Sequence, residues 1–365
     1  MLTKFIFKGS IATLLVVGVV ILSGCSGGWI ESSIKKPILR PNKFYDGPST
    51  PWDQYEKIYE DGRTMLTFEY TGEDIGDVPK DEWGNIEVRF HIEAVDREYG
   101  NPADNAVSGS YYALINGVWG EIPRPVGRLS HYSTYLSPGQ NKVDVEYIAS
   151  DVSGVYKVVA EAYYKGDLKA SKEVVVEVKI PYLEGFSRQG YDSSGNMIWN
   201  VVGQTEFHTR NNYVQYRVGL AFAALAYYIK DEYAKANWGD TGFIVRVTDM
   251  SLPWGGMFWI GYPGSTELTI PNRIDGYGNT YTITYRAGDN RIYAPPHSTH
   301  RDGRHIDISF YSDNGNGYKD WSRRLEEYTL RKAIEEAGTN FSYIEEGDHY
   351  HLTCKLGNNY YYDEY

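Results

Sequence analysis

The sequence predicts a multidomain, β-rich protein in which an N-terminal all-β domain precedes an α+β domain built on an antiparallel sheet. Three observations support this fold class. The chain has 365 residues, enough for two or three domains of ordinary size. Apolar side chains alternate with period two through much of 64–181, as they do in half-buried strands. Residues 212–365 combine such alternation with two stretches of helical periodicity, which is typical of an α+β domain.

The strand pattern is clearest in four parts of the all-β domain. These are 86–94, 143–148, 155–163 and 172–178. A short connection containing Gly166 and Asp167 joins the last two and predicts a hairpin. The segment Asp-Val-Ser-Gly-Val-Tyr at 151–156 resembles the tyrosine corner of immunoglobulin-like sandwiches. That resemblance implies an immunoglobulin-like sandwich, held by packing alone because the domain contains no cysteine pair.

The second domain follows a predicted linker at 182–211, which is rich in glycine, serine and asparagine. Apolar residues then recur at helical spacing for about 20 residues from Val214 onwards. A charged second helix is predicted over about 320–337, with Gly338 at its end because helices often finish in a left-handed glycine. The remaining alternating stretches predict strands on either side of that helix.

The net charge of −12 argues against nucleic acid as a partner, because phosphate binding requires clustered lysine and arginine. The charge does not argue against a cell-wall or polypeptide substrate.

The first 24 residues have the pattern of an export signal. Lys4 and Lys8 precede an apolar run at 11–22 that is short for a membrane span. The sequence Leu-Ser-Gly-Cys ending at Cys25 resembles the lipobox of bacterial lipoproteins, which implies cleavage before Cys25 and a lipid on its sulfur. Residues 25–63 would then be the lipidated cysteine and a tether. A short N-terminal anchor helix with a chance cysteine is the alternative.

By the same resemblance, the protein is exported to the cell envelope as a membrane-anchored lipoprotein. In a Gram-negative cell it would reach the outer membrane, because the residue after Cys25 is serine and not aspartate.

The most specific chemistry lies near the C-terminus. His300 precedes Asp307 by seven residues, and His349-Tyr-His351 follows later. These residues offer two imidazoles and a carboxylate for one Zn²⁺, with a third imidazole beside them. Strand alternation places His349 and His351 on one face and Cys354 on the other, so Cys354 is a poor ligand candidate. A hydrogen-bonded cluster without metal is the alternative.

Together, these motifs resemble the zinc peptidases of the LAS superfamily, which includes murein endopeptidases and D-Ala-D-Ala carboxypeptidases. The segments 298–308 and 247–256 carry further likeness, and the resemblance covers roughly 205–360. It implies an α+β zinc-peptidase domain at 212–365. The hedgehog signalling domain belongs to the same superfamily and shows that this fold can also serve recognition.

Carried over residue by residue, the resemblance makes His300, Asp307 and His351 the zinc ligands. His349 would be the general base and then the acid that protonates the leaving amine. Some relatives use a carboxylate three residues before the last ligand, and Asp348 stands there. We favour His349, because it shares the strand face of the ligand.

Three further residues are candidates for supporting the ligands or contacting substrate. They are His297, His305 and Trp254. His305 has the same period-two phase as Asp307, so it is expected to face the same side of the sheet.

The expected function is that of a lipid-anchored zinc metallopeptidase that hydrolyses amide bonds of peptidoglycan cross-links or stem peptides. The enzyme would resemble a murein endopeptidase or a D,D-carboxypeptidase. One alternative is a non-catalytic, zinc-containing lipoprotein for surface binding or adhesion. Another is a peptidase that acts on proteins or on a competitor's cell wall.

Overall fold

A computed structural model describes residues 38–39, 62–95, 112–123, 125–150, 152–180, 183–203, 210–256, 262–291, 300 and 302–355. The predicted signal segment, Cys25, His297 and most of the predicted tether lie outside these residues. The described chain is mostly β-strand in several antiparallel sheets, which confirms a β-rich fold. Within it, no helix has the length and apolar character needed to cross a membrane.

The predicted strands of the N-terminal region are present in the structure. Its elements are β1 (Ile38–Leu39), β2 (Arg63–Glu69), α1 (Gly72–Ile75), a 3₁₀ helix at Lys80–Asn85, β3 (Glu87–Ala94), β4 (Tyr112–Ile115), β5 (Val118–Glu121), β6 (Arg128–Leu129), β7 (Ser133–Tyr135), β8 (Lys142–Ile148), β9 (Gly154–Tyr164) and β10 (Asp167–Val178). The four clearest predictions correspond to β3, β8, β9 and β10. The predicted hairpin is present, but its turn falls at Lys165 and Gly166, one residue before the predicted Gly166 and Asp167, because Asp167 already pairs with Tyr164.

Two sheets enclose the N-terminal core. One has the strand order β1-β10-β9-β3-β7, and the other has the order β2-β8-β6. Alternate residues such as Phe68, Phe90 and Val145 point into the shared core and are almost completely buried. The Tyr156 hydroxyl donates a 2.6 Å hydrogen bond to the carbonyl of Val152, four residues upstream. Tyrosine corners contain a hydrogen bond of this kind.

The C-terminal region builds the rest of the fold. Its elements are β11 (Leu183–Gly185), β12 (Gln189–Tyr191), β13 (Met197–Val201), β14 (Tyr213–Gln215), α2 (Tyr216–Ala236), β15 (Val245–Asp249), β16 (Tyr262–Pro263), β17 (Leu268–Ile274), β18 (Thr280–Tyr285), β19 (Asn290–Arg291), β20 (His305–Ser309), β21 (Tyr311–Asp313), β22 (Lys319–Arg324), α3 (Glu327–Ala337), β23 (Phe341–Glu346) and β24 (His349–Cys354).

A six-stranded sheet forms the centre of this region, in the order β12-β13-β15-β20-β24-β23. All neighbouring strands are antiparallel except β13 and β15. The predicted first helix is α2, whose buried stripe includes Val218, Phe222, Leu225 and Ile229 and packs in the same core as the sheet. Because apolar residues at this spacing share one face of a helix, α2 covers one face of the sheet.

Two segments differ from their sequence-based predictions. The predicted linker at 182–211 contains β11, β12 and β13, and β12 and β13 extend the central sheet. Its glycine-rich and serine-rich composition concealed the alternation in β13. The predicted helix at about 320–337 is a strand, β22, followed by the shorter helix α3, because β22 pairs with β21. Gly338 ends α3 in the left-handed conformation with φ 59°, as predicted.

A separate four-stranded sheet joins the two regions. Its order is β17-β18-β4-β5, so a hairpin from 268–285 continues a hairpin from 112–121. Ile283 lies opposite Ile115, and both hairpins contribute to one small apolar core. The backbone N–H of Ile92 also donates to the carbonyl of Gly276 at 2.8 Å. The sequence analysis did not predict this connection between the regions.

Candidate metal centre

The site is built on two neighbouring strands of the central sheet, β20 and β24. Their antiparallel register places Asp307 directly opposite His351, and Ser309 opposite His349. Since alternate residues share a face, these side chains project on the side of the sheet away from α2. Cys354 is buried in the apolar core on the other face, as predicted from alternation.

His300 precedes β20, and a tight turn brings it back to the strand. Gly303 in that turn has φ +73°, and a Cβ atom there would lie 2.8 Å from the backbone nitrogen of Gln215. That nitrogen donates to the Gly303 carbonyl at 3.0 Å. The turn therefore requires glycine both for its backbone conformation and for the close approach of Gln215.

His300, Asp307 and His351 form a buried group that could hold a metal ion, with one ligand atom from each residue lying within 4.8 Å of the others. Their exposed fractions are 1%, 8% and 3%. The Asp307 carboxylate lies between the two imidazoles, with Oδ2 3.1 Å from Nε2 of His300 and Oδ1 2.7 Å from Nδ1 of His351. Zinc ligands about 2.0–2.1 Å from the ion would be separated by roughly 3.3 Å in a tetrahedral site, so the His300–Asp307 distance is near that value and the His351–Asp307 distance is shorter.

In this geometry, the charges of His300 and Asp307 shift the pKa of both residues. Burial lowers the pKa of His300, but the Asp307 carboxylate outweighs that effect and raises this pKa to about 9. Burial raises the pKa of Asp307, but the two hydrogen-bonded imidazoles outweigh it and hold that pKa well below its usual range. The buried carboxylate thus requires a positive partner, which a divalent cation would also provide.

A hydrogen bond at Nδ1 sets the orientation of the His300 ring. Its Nδ1 lies 3.3 Å from the backbone carbonyl of His305. Because a carbonyl only accepts, Nδ1–H is the donor and the lone pair of neutral His300 is on Nε2, facing Asp307. Metal-binding histidines usually donate their second N–H to a carbonyl or carboxylate in this way.

The structure brings His305 into contact with the ligand group. It lies on the same face of β20 as Asp307, as strand alternation predicts. Its Nδ1 lies 2.9 Å from Nε2 of His351 and 3.2 Å from the Thr353 hydroxyl. Burial lowers the pKa of His305 to about 3, and the neighbouring imidazoles act in the same direction. A neutral His305 can accept the second N–H of His351, so its position suits support of a ligand.

His349 lies beside the group and is partly open to solvent. Its Nε2 is 3.4 Å from Oδ2 of Asp307 and 3.3 Å from Oε2 of Glu346, while its Nδ1 is 3.3 Å from Oδ1 of Asp348. Burial lowers the pKa of His349, but these carboxylates, Glu346 first, outweigh it and raise the pKa to about 9. Asp348 itself is 67% exposed and forms a 2.5 Å ion pair with Lys319.

Three site carboxylates were missed by the sequence analysis. Asp302 is buried, and its Oδ1 lies 3.8 Å from Nε2 of His305. Glu346 lies directly opposite His349 across a two-residue hairpin turn, a pairing that the short Gly347-Asp348 connection could have indicated. Asp249 lies opposite Asp307 on β15 and contributes to the raised pKa of His300. A β-bulge between Val247 and Asp249 sets this pairing, and no local pattern predicts it.

Trp254 is held against the N-terminal region. Its carbonyl accepts hydrogen bonds from the backbone N–H of Ile180 at 2.8 Å and from the Ser153 hydroxyl at 3.0 Å. Its ring lies 5.1 Å from the ammonium group of Lys179. These contacts fix the loop that follows β15, and they give Trp254 a role in joining the two regions. His297 lies outside the described residues.

Comparison of the chain with protein-family models, curated proteins and solved structures gives no match.

Proposed function

We propose that this chain is a zinc metallopeptidase of the LAS type that hydrolyses amide bonds of peptidoglycan cross-links or stem peptides. The observation that carries the proposal is the buried group of His300, Asp307 and His351 with His349 beside it. The two motifs that resemble LAS peptidases thus supply one cluster, on adjacent strands, from separate parts of the chain.

The donor set suits zinc. Two imidazole nitrogens and one carboxylate oxygen match the ligands of many catalytic zinc sites. Imidazole and carboxylate are borderline-to-hard donors, and Cys354, the one cysteine among the described residues, lies in the apolar core. A bound zinc ion supplies Lewis-acid chemistry, which activates water as a nucleophile at neutral pH and polarises an amide carbonyl.

His349 is the residue best placed to move protons. Its Nε2 lies 3.4 Å from Asp307, whereas the Asp348 carboxylate contacts Lys319 and Nδ1 of His349. In the proposed reaction Nε2 accepts a proton from the attacking water and returns it to the leaving amine. A divalent cation next to Asp307 would oppose protonation of His349, and so would lower its raised pKa towards neutrality.

A structural metal in a binding module is the second candidate function. The near-complete burial of the three ligands supports it, because structural zinc sites are closed whereas catalytic sites keep an open position. The partial exposure of the His349 side chain favours catalysis, since this residue beside the buried group reaches the surface although its Nε2 atom is buried.

We also propose that the described body is an immunoglobulin-like sandwich followed by the peptidase domain, tethered to the cell envelope through a lipid on Cys25. The Tyr156–Val152 hydrogen bond supports the immunoglobulin-like sandwich. The lipid anchor is proposed from the sequence of residues 1–25. If Cys25→Ser is still processed and retained in the membrane fraction, the lipid anchor is contradicted.

The proposed activity is tested by incubating the chain without residues 1–25 with purified peptidoglycan, followed by mass spectrometry of the fragments. We expect chelator-sensitive release of defined muropeptides, restored by zinc and lost in both His351→Ala and His349→Gln. Stoichiometric zinc binding without product from any type of cell wall would instead support a binding role.

A further inference from the structure

The hairpin of β21 and β22 reaches the edge of the site through the Lys319–Asp348 ion pair, and side chains of the protein hold its loop by hydrogen bonds. Asp313, the last residue of β21 before the loop, is buried, and its Oδ1 accepts from the backbone N–H groups of Gly315 and Gly317 at 2.7 and 3.1 Å. The same oxygen accepts from Nδ2 of Asn200 at 3.2 Å. Arg246 donates to the Gly317 carbonyl at 3.3 Å. One buried carboxylate therefore shapes the loop and attaches it to the central sheet.

The fixed loop determines where Lys319 points. Lys319 begins β22 and lies directly opposite Asp313 in the hairpin register. Its side chain is mostly buried, and its ammonium group lies 5.3 Å from the Trp321 ring and 2.5 Å from Oδ2 of Asp348. Lys319 is therefore held in one direction by its strand and by its ring contact, with its charge at the edge of the site.

Asp348 connects this lysine to His349. One carboxylate oxygen faces Lys319, and the other lies 3.3 Å from Nδ1 of His349. The backbone of Asp348 is held by a 3.2 Å hydrogen bond from the Phe310 N–H to its carbonyl. With Nδ1 occupied in this way, the other nitrogen of His349 faces Asp307 at 3.4 Å and Glu346 at 3.3 Å.

We propose that Lys319 is a positioning residue, which holds the Asp348 carboxylate so that it accepts Nδ1–H of His349 and leaves Nε2 facing the metal group. An exposed aspartate side chain rotates freely unless a partner fixes it, and its rotation would release the imidazole. The inference rests on the proposed function, because the role of the oriented imidazole is proton transfer. It assigns Asp348 as the group that orients the base.

Kinetics of four variants and one control variant test the proposal with a peptidoglycan substrate. We expect Lys319→Met and Asp348→Asn each to lower kcat about 10-fold, as partial loss of a general-base contribution of roughly 10²–10⁴. KM and zinc affinity stay unchanged, and Lys319→Arg recovers most of kcat. The double variant is no slower than either single variant, because both act through the same contact. Lys235→Met, which removes an exposed lysine from α2, is the matched control and keeps the native kcat.

A second readout does not depend on activity. In ¹H–¹⁵N NMR spectra of the zinc-loaded protein, we expect a protected Nδ1–H resonance of His349, assigned through its loss in His349→Gln. Lys319→Met should abolish its protection, while Lys319→Arg and Lys235→Met should retain it. An unchanged resonance and unchanged kcat in Lys319→Met would overturn the proposal, as would additive losses in the double variant. If the native protein hydrolyses nothing, the proposed function fails, and the resonance alone decides whether Lys319 orients His349.

Discussion

The two faces of the central sheet differ in what their side chains do, although the same strands build both. On one face Ile306, Ile308 and Leu352 are fully buried in a core shared with α2 and α3. On the other face Asp307 and His351 are also buried, but each has hydrogen-bonded charge partners. The same strand register therefore positions both the apolar core side chains and the polar site side chains. Because the apolar face is rigidly packed, it holds the polar face in place.

The largest expected effect comes from weakening the apolar face. Leu352→Ala should lower the free energy of unfolding by about 2–5 kcal/mol, because it leaves a cavity in a fully buried part of the core. Denaturant unfolding followed by circular dichroism measures this loss. Ser342→Ala on β23 is the control and should change stability by about 0.5 kcal/mol or less. Equal losses in the two variants would show that the apolar face is not the main support.

The next effect concerns the polar face. His351→Ala should weaken zinc binding at least about 100-fold, or about 2.7 kcal/mol, because loss of a ligand exceeds the 10–100-fold cost typical of its supporting residues. Metal analysis and calorimetry measure it. A chelator should lower the melting temperature of the zinc-loaded native protein and of His131→Ala, a control in the N-terminal region, but not that of His351→Ala. Unchanged zinc binding in His351→Ala would contradict the ligand set.

A smaller effect on zinc affinity is expected at His305, because it supports a ligand and does not itself bind the metal. His305→Gln should keep one zinc per chain but weaken its binding about 10–100-fold, because His351 loses its neutral hydrogen-bond acceptor. Competition with a chelator of known affinity measures the change. A stoichiometry of zero would place His305 among the ligands, and an unchanged affinity would remove its supporting role.

The smallest effect is expected at Cys354, the one buried cysteine in the described chain. Cys354→Ala removes a small apolar group, so the free energy of unfolding should fall by about 1 kcal/mol while zinc affinity stays the same. Denaturant unfolding measures the change in stability, and competition with a chelator of known affinity measures zinc binding. Loss of zinc in this variant would mean that the face assignment of β24 is wrong.

Local patterns predicted a large part of the site. Alternation alone assigned His349 and His351 to one face and Cys354 to the other, and gave His305 the phase of Asp307. Elsewhere in the same domain, the glycine at 338 predicted the left-handed end of α3. These predictions succeeded because side-chain direction in a strand and the freedom of glycine depend only on neighbouring residues.

Prediction failed where distant segments meet. The glycine-rich composition of 182–211 concealed strands that are stable because they pair with β14 and β15. β22 has a charged sequence that could form a helix, yet it is a strand because β21 is available beside it. Strand propensity depends on such context more than helix propensity does.

The sequence by itself determined which side chains could bind a metal and which strand face each occupies, since period-two alternation is a local property of the backbone. Only the tertiary structure decided which further groups join them. Asp249 reaches the face of Asp307 through a β-bulge, and Lys319 reaches Asp348 through a loop built on a buried aspartate. Bulges and hairpin positions depend on packing between segments far apart in the chain, and no local pattern encodes that packing.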